Sequence, residues 1–235
     1  MRRFWPLVPV YVALLLWVDR GVTLHEQYAL GALTWLVLIA AAWTLSPQRR
    51  AQVAVVVAAA TLGEVTGSLI WGVYHYRLDN LPLFVPPAHG LVYLTGIALA
   101  ASLRRHTRAL VVAAAVAAVT WGIAGLTVLP RLDVAGALGV PLLCLFLWRS
   151  RYRATYAGVF FAVAALELYG TAIGTWQWER SLPGSGIPDG NPPSGVASGY
   201  VWFDVMALLL APALLRTVRA ARSRTVGAVP RSLQA

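Results

Sequence analysis

Long apolar stretches separated by short polar segments dominate the pattern of the chain. A helix needs about 20 apolar residues to cross the roughly 30 Å of hydrocarbon in a bilayer. Eight stretches approach this length, at residues 4–19, 28–46, 51–73, 85–103, 109–129, 133–148, 154–175 and 198–216. The pattern therefore predicts an all-α, polytopic integral membrane protein with about eight transmembrane helices, followed by a short basic tail at 217–235.

The charged residues alternate between the two ends of these predicted helices. Of the 235 residues, 59% are hydrophobic and 12% charged, and all 19 basic residues are arginines. Arginines concentrate at one end, namely Arg2, Arg3, Arg49, Arg50, Arg104, Arg105, Arg108, Arg149, Arg151, Arg153, Arg216, Arg219, Arg222, Arg224 and Arg231, against Arg20, Arg77, Arg131 and Arg180 at the other. The positive-inside rule then predicts a cell-membrane protein with both termini in the cytoplasm. This topology explains the net charge of +10 without a nucleic-acid partner.

Three of the nine acidic residues fall inside predicted helices rather than in the outer loops. They are Glu64, Glu167 and Asp204, and the other six are expected to lie on the outer surface. A charged side chain at membrane depth costs about 3 kcal/mol on insertion scales, so such groups face the bundle interior and are usually functional. The alternative is a helix–helix hydrogen bond from a protonated acid, worth about 0.6 kcal/mol. Helical spacing places small or aromatic residues on the same faces as these acids and His89. Glu64 shares its face with Gly67, Ser68 and Trp71, and Glu167 shares its face with Gly170, Thr171 and Gly174. Tyr200 shares a face with Asp204, and Tyr93 shares a face with His89.

The two glutamates begin similar segments. EVTGSLIWGVYHY starts at Glu64 and ELYGTAIGTWQW starts at Glu167, and a Pro-Pro pair follows each, in PPAHG at 86–90 and NPPSG at 191–195. The glutamates are four predicted helices apart, so their helices run in the same direction. The sequence thus predicts two four-helix halves, 1–104 and 105–216, related by a parallel repeat.

Acid–base chemistry on an apolar substrate is the function that these residues favour. The sequence has no recognisable metal-binding or cofactor motif, its four histidines are divided between the two sides, and we expect neither a metal nor a cofactor. A carboxylic acid in a dry site keeps a proton at neutral pH, and aromatic faces stabilise a developing cation. This combination predicts protonation of an isoprenoid double bond, followed by hydration, cyclisation or isomerisation. The alternative is a non-enzymatic, proton-coupled transporter or lipid-binding protein.

The candidate site contains both acid–base and binding residues. The catalytic candidates are Glu64, Glu167, Asp204 and His89, and the candidates for binding an apolar isoprenoid or lipid are Trp71, Tyr74, Tyr76, Tyr93, Trp176, Trp178, Asn191 and Tyr200. An aromatic belt at the membrane surface is the alternative explanation for the two Tyr and Trp pairs. The long segment 176–197, rich in Gly and Pro, is expected to cover the site.

Two membrane enzyme families resemble the chain. The first block, Glu64-x-x-Gly67, Gly72-Val73-Tyr74-His75-Tyr76 and Leu83-Phe84-Val85-Pro86-Pro87, is similar to that of the membrane carotenoid hydratases of the bacterioruberin pathway. The second block, Glu167, Gly174-Thr175-Trp176-Gln177-Trp178, Gly186-Ile187-Pro188 and Asn191, resembles theirs too. This resemblance implies addition of water to a terminal isoprenoid double bond, with Glu64 and Glu167 as acid and base. The positions of Glu64 and Asp204 also resemble those of the essential acids of small polytopic terpene cyclases, which implies cyclisation instead.

Overall fold

A computed structural model describes the backbone of residues 6–227 and the side chains of residues 6–221. Its helices are α1 (Leu7–Asp19), α2 (Leu24–Trp43), α3 (Pro47–Glu64), α4 (Val85–Ser102), α5 (Thr107–Thr127), α6 (Val134–Arg149), α7 (Arg153–Ala172), the single turn α8 (Val196–Gly199) and α9 (Val201–Gly227). A π-helical segment, Val65–Trp71, extends α3, a 3-10 turn, Arg104–His106, precedes α5, and two short strands, β1 (Tyr74–Tyr76) and β2 (Trp176–Trp178), complete the described elements. The predicted all-α class is confirmed, and each predicted apolar stretch contains a helix.

Helix α4 lies at the centre of the bundle. It buries residues on every side, Leu91 and Tyr93 among them, and so has almost no preferred polar face. Glycines allow α7 to approach α4 closely: a Cβ on Gly96 would clash with the backbone of Val159, and one on Gly158 would clash with the backbone of Gly96. On another side α3 packs along α9, where Gly63 faces the ring of Phe203.

Within the described residues, five helical segments are long and apolar enough to cross a membrane. They are Leu24–Trp43, Pro47–Trp71, Arg104–Thr127, Arg153–Ala172 and Val196–Ala221. Large apolar side chains cover much of their outer surface, including Leu36, Ile70 and Leu209, which are 65%, 75% and 70% exposed. Soluble monomers rarely expose continuous apolar surface on this scale, so the bundle has the exterior of a membrane protein.

One end of the bundle, here called the cap end, carries the two strands and the loop that follows β2. The strands pair antiparallel, with Tyr74 opposite Trp178 and Tyr76 opposite Trp176. The segment 179–195, here called the cap loop, then crosses the end of the bundle to α8. The segment 176–197, predicted from its Gly and Pro content to cover the site, therefore begins with a strand, and its last two residues belong to α8.

Asp133 attaches the cap loop to the bundle. Its carboxylate caps α6 by accepting a hydrogen bond from the backbone N–H of Gly136 at 3.0 Å. It also accepts the N–H groups of Gly190 at 3.0 Å and Ser194 at 2.7 Å. Hydrogen bonds to an ionised acceptor are stronger than neutral ones, so this buried carboxylate holds the end of the loop against α6.

A second polar cluster joins the α1–α2 turn to the segment after β1. The buried Gln27 side chain donates to Asp19 Oδ1 and accepts from the Asn80 amide, both at 2.7 Å. Arg77 donates to the backbone oxygens of Asp19 and Val22. These bonds fix α1 beside the strands, where it forms one wall of the site described below.

One sequence-based expectation about the acidic residues is wrong. Asp19, Asp133 and Asp189 were expected on the outer surface, but they are 1%, 1% and 2% exposed, because each lies within the packed cap end. The first part of the tail predicted at 217–235 is helical, since α9 continues to Gly227. The rest of the predicted tail, residues 228–235, and the N-terminal pair Arg2 and Arg3 lie outside the described residues.

Candidate active site

A cavity of about 260 Å³ opens inside the bundle at the cap end. Most of its wall is apolar or aromatic, and its acidic residues are Glu64 and Glu167. It is lined by Val12, Leu15, Leu16, Gly63, Glu64, Tyr74, Tyr76, Phe84, Val85, Ala88, His89, Leu166, Glu167, Trp176, Trp178, Val196, Gly199, Tyr200 and Phe203.

Glu64 is the last α-helical residue of α3, and the π-helical segment after it leads the chain back over the carboxylate. Gly72, in the left-handed region at φ 71°, reverses the chain into β1. Gly67 leaves room for the Tyr74 ring, which would lie 3.1 Å from a Cβ at this position. The hydroxyl groups of Tyr74 and Tyr76 both donate to Glu64 Oε2 at 2.7 Å. The turn after Glu64 thus supplies two of its hydrogen-bond donors.

His89 provides the third partner of Glu64 and extends the network to α9. Its Nε2 lies 2.9 Å from Glu64 Oε1, and its Nδ1 lies 3.2 Å from the hydroxyl of Tyr200. The Tyr200 ring stacks on the imidazole, with centroids 5.5 Å apart. One tautomer satisfies every group: Tyr200 donates to Nδ1, Nε2–H donates to Glu64, and Glu64 accepts three bonds as a carboxylate.

Glu167 lies near the end of α7 and is bound by the strand that follows it. Its Oε2 accepts from the indole nitrogens of Trp176 at 3.0 Å and Trp178 at 3.4 Å. The ring of Trp176 packs directly over Gly170, where a Cβ would clash with it. Among the described residues, Glu167 Oε1 has no hydrogen-bond donor, so one oxygen of this carboxyl group is left for another partner.

The two glutamates therefore have corresponding surroundings. Each is buried toward the end of a helix, each is followed by a glycine with positive φ, Gly72 or Gly174, and each is bound by two aromatic residues of the next strand. The strands pair with each other, and the rings of Tyr74 and Trp178 lie 4.5 Å apart. Pairing of the strands brings both carboxyl groups to the same cavity, although they are 103 residues apart in the chain.

Most of the predicted site residues line this cavity. They are Glu64, Glu167, His89, Tyr74, Tyr76, Trp176, Trp178 and Tyr200. The aromatic pairs do not form a lipid-facing belt, since Tyr76 and Trp176 are only 6% and 7% exposed and hydrogen-bond the glutamates.

Asp204 and Tyr93 were predicted in the site but do not line the cavity. Asp204 is 2% exposed and lies one turn beyond Tyr200 on α9, close enough to act electrostatically on Tyr93 and Tyr156. Its Oδ2 is buried and has no hydrogen-bond partner among the described residues. Tyr200 and Asp204 are one helical turn apart, since the Asp204 N–H donates to the Tyr200 carbonyl oxygen at 3.2 Å, but of the two only the Tyr200 ring, stacked on His89, lines the cavity.

Trp71 and Asn191 also lie outside the cavity lining, for two different reasons. Helical spacing placed Trp71 on the face of Glu64, but the intervening turns are π-helical, which changes the residue period. Trp71 is consequently 50% exposed, and its indole donates to the backbone oxygen of Pro183 in the cap loop at 3.1 Å. Asn191 accepts the backbone N–H of Trp178 at 3.0 Å, so it positions β2 instead of binding in the cavity.

Several lining residues were not singled out from the sequence. Leu15 and Leu16 come from α1, and Phe84 and Phe203 contribute two more rings. Phe84 is 1% exposed and lies within one of the quoted motifs, which was the one available signal. The others belong to uniformly apolar stretches, where the sequence does not distinguish a cavity wall from a lipid contact.

Comparison with known proteins gave no match. The chain matches no protein-family model, no curated protein and no solved structure among those compared with it. Within the part of the chain that the structure describes, no group of three or more His, Cys, Asp or Glu residues could hold a metal ion. The function is therefore inferred from the geometry of the cavity.

Proposed function

We propose that the protein is an integral-membrane enzyme that protonates a carbon–carbon double bond of an apolar isoprenoid. The observation that carries the proposal is the convergence of two buried carboxyl groups on one small cavity with aromatic walls. Buried acids in a membrane bundle usually have a function, because their insertion is costly. Apolar walls suit a hydrocarbon substrate, and the faces of Tyr74, Trp176, Trp178 and Phe203 suit the cation that protonation creates.

The hydrogen-bond pattern supports different roles for the two acids. Glu64 accepts three hydrogen bonds and suits an ionised carboxylate, whereas Glu167 keeps Oε1 without a donor among the described residues. We assign Glu167 as the proton donor, with the acidic hydrogen on Oε1. Glu64, together with His89 and Tyr200, is the proton acceptor.

The reaction then needs no reagent other than water. Glu167 transfers its proton to the less substituted carbon of the double bond, and the π electrons form the new C–H bond and leave a tertiary cation. Water attacks the cation and releases a proton to the Glu64–His89 pair, which gives an alcohol. Attack by a second double bond gives a ring, and loss of a proton to the same pair completes cyclisation. Return of that proton to Glu167 restores the enzyme.

The membrane arrangement is part of the same proposal. We propose that all the helices except the single turn α8 lie in the membrane, that the termini are cytoplasmic, and that the halves 1–104 and 105–216 are related by a parallel repeat. The corresponding hydrogen bonds of Glu64 and Glu167 and the pairing of β1 with β2 support the repeat. The clustering of arginines at the end opposite the cap supports the orientation.

Deuterium labelling tests the chemistry. Purified protein in nanodiscs, prepared in deuterated water, would be incubated separately with lycopene, geranylgeraniol and geranylgeranyl monophosphate. Protonation of a double bond leaves one carbon-bound deuterium in the product. Mass spectrometry then also separates hydration, which adds the mass of one water, from cyclisation, which adds none.

Two variants and a matched control define the expected result. Glu167→Gln and Glu64→Gln should each lose the labelled product. Glu179→Gln makes the same change at an exposed cap-end glutamate paired with His75, and should keep it. If the wild-type protein binds a probe but returns every probe without deuterium, the enzyme proposal is wrong and a transporter or binding protein is favoured.

A further inference from the structure

A second and larger cavity adjoins the site. It has a volume of about 1260 Å³ and runs between α1, α4 and α7 toward the end of the bundle opposite the cap. Val12 and Leu166 line both cavities, so the two are adjacent, and the pair of cavities is here called the groove. Ligand sites for drug-sized molecules have volumes of about 300–1,000 Å³, so this groove has room for a longer ligand.

The far end of the groove is basic. Arg49, Arg104 and Arg105 line this end, and among the described residues that line the second cavity there is no Asp or Glu. None of the three arginines has an acidic partner within ion-pair distance in the described part of the chain. Arg49 donates to the Gln52 amide oxygen at 2.9 Å, which orients it without neutralising it. The groove thus joins an apolar channel to an unneutralised cationic end.

The length of the groove sets the size of a ligand that would span it. Arg49 and Glu64 are fifteen residues apart on α3, which is about 22 Å at the rise of an α-helix. Three backbone bonds of an extended chain span roughly 3.5 Å, so the four chain bonds of an isoprene unit span about 4.5 Å. A chain of about five isoprene units therefore reaches from the arginines to the glutamates.

We propose that the groove binds the substrate as a linear isoprenoid of about four to five units with an anionic, phosphate-type head group. The head group lies at Arg49, Arg104 and Arg105, the tail runs along α4 and α7, and the terminal double bond lies between Glu64 and Glu167. This inference rests on the proposed function and names the substrate class for it. It also explains why the acids are at the end of the bundle opposite the arginines.

Binding of a saturated probe separates this inference from the chemistry. Phytanyl monophosphate has four isoprene units and no double bond, so it can bind but cannot be protonated. Its affinity for the full-length protein in phosphatidylcholine nanodiscs would be measured by native mass spectrometry. Phytanol, which has the same tail without the charge, and a saturated two-unit isoprenyl monophosphate are the comparison probes. We expect the four-unit phosphate to bind at least about tenfold more tightly than either.

Variants locate the bound probe. Arg104→Gln with Arg105→Gln should weaken phytanyl phosphate about tenfold and leave phytanol unchanged. Arg149→Gln with Arg151→Gln removes two cations from the same end that do not line the groove, and should change neither. Ala162→Trp fills the groove at α7 and should abolish binding of both probes. Glu64→Gln and Glu167→Gln should leave binding intact.

Several outcomes would overturn the inference. They are equal binding of phytanol and phytanyl phosphate, equal effects of the two arginine pairs, and full competition by dioleoyl phosphatidic acid, which would indicate a general site for anionic lipids. Labelling of lycopene or geranylgeraniol as readily as of geranylgeranyl phosphate would also overturn it while supporting the proposed function. Tight, arginine-dependent binding without any labelled product would support this inference and overturn the proposed function.

Discussion

Replacing Glu64 by glutamine removes its charge while allowing every hydrogen bond to be remade. The glutamine carbonyl oxygen can accept from His89, and its NH₂ group has two hydrogens for the hydroxyls of Tyr74 and Tyr76. Those hydroxyls donate to Oε2 in the wild-type protein and can rotate to accept instead. Since no buried polar atom loses a partner, we expect the free energy of unfolding to change by no more than about 1 kcal/mol.

Activity should fall much further than stability. An amide cannot accept the proton released from water or from the cyclised cation, and a positioned acid or base contributes about 10²–10⁴-fold to a rate. The assay compares the initial rate of deuterated product with the thermal unfolding midpoint of the same preparation in nanodiscs. Glu179→Gln provides the matched control, because Glu179 is exposed and, among the described residues, its side chain pairs with His75 alone.

Glu64→Leu tests the structural part of the reasoning. Leucine leaves the buried Tyr76 hydroxyl and His89 Nε2 without their partner, at about 1–3 kcal/mol each. The leucine variant should therefore unfold at clearly lower temperature than the glutamine variant. A glutamine variant that keeps the wild-type rate would refute Glu64 as the proton acceptor. A glutamine variant as unstable as the leucine variant would refute the exchange of hydrogen bonds.

Three further predictions concern the cap end. Gly170→Ala should displace the Trp176 ring, destabilise the protein by about 1–3 kcal/mol and reduce its activity. Gly21→Ala is the control: Gly21 has open space around it, so this variant should keep the wild-type thermal unfolding midpoint. Burial, with the negative charge of Asp133 nearby, raises the pKa of Asp189 to about 7. Between about pH 4 and 7 the native state therefore keeps a proton on Asp189 that the unfolded state has lost, so the free energy of unfolding should decrease as the pH rises through this range. Asp189→Asn should flatten this pH dependence, as measured by hydrogen exchange of the cap loop. Asp133→Asn replaces the charged acceptor of three backbone N–H groups by a neutral one. We expect the free energy of unfolding to fall by about 2–4 kcal/mol and the amides of the cap loop to exchange faster. Unchanged protection of the cap loop would contradict the role of Asp133.

Some of the site could be predicted from the sequence because local signals identified it. Glu64 and Glu167 stand out as acids in apolar stretches, and the matched glycines and aromatic pairs after them mark the two turns. Trp71 was predicted wrongly because α-helical spacing was applied across a segment that is π-helical. Asp204 does lie one helical turn from Tyr200, but helical spacing does not show that the cavity ends before it.

The sequence by itself determined the helices, their apolar exteriors and the identity of two carboxylates that lie in one cavity, since each of these depends on composition and on spacing within one helix. Only the tertiary structure decided how the acids are bound. Pairing of β1 with β2 joins segments about a hundred residues apart, and it turns Tyr74, Tyr76, Trp176 and Trp178 inward to the glutamates. The burial of Asp133 likewise follows from backbone N–H groups of the distant cap loop. Contacts of this kind depend on which helices become neighbours, and a uniformly apolar sequence carries almost no record of that choice.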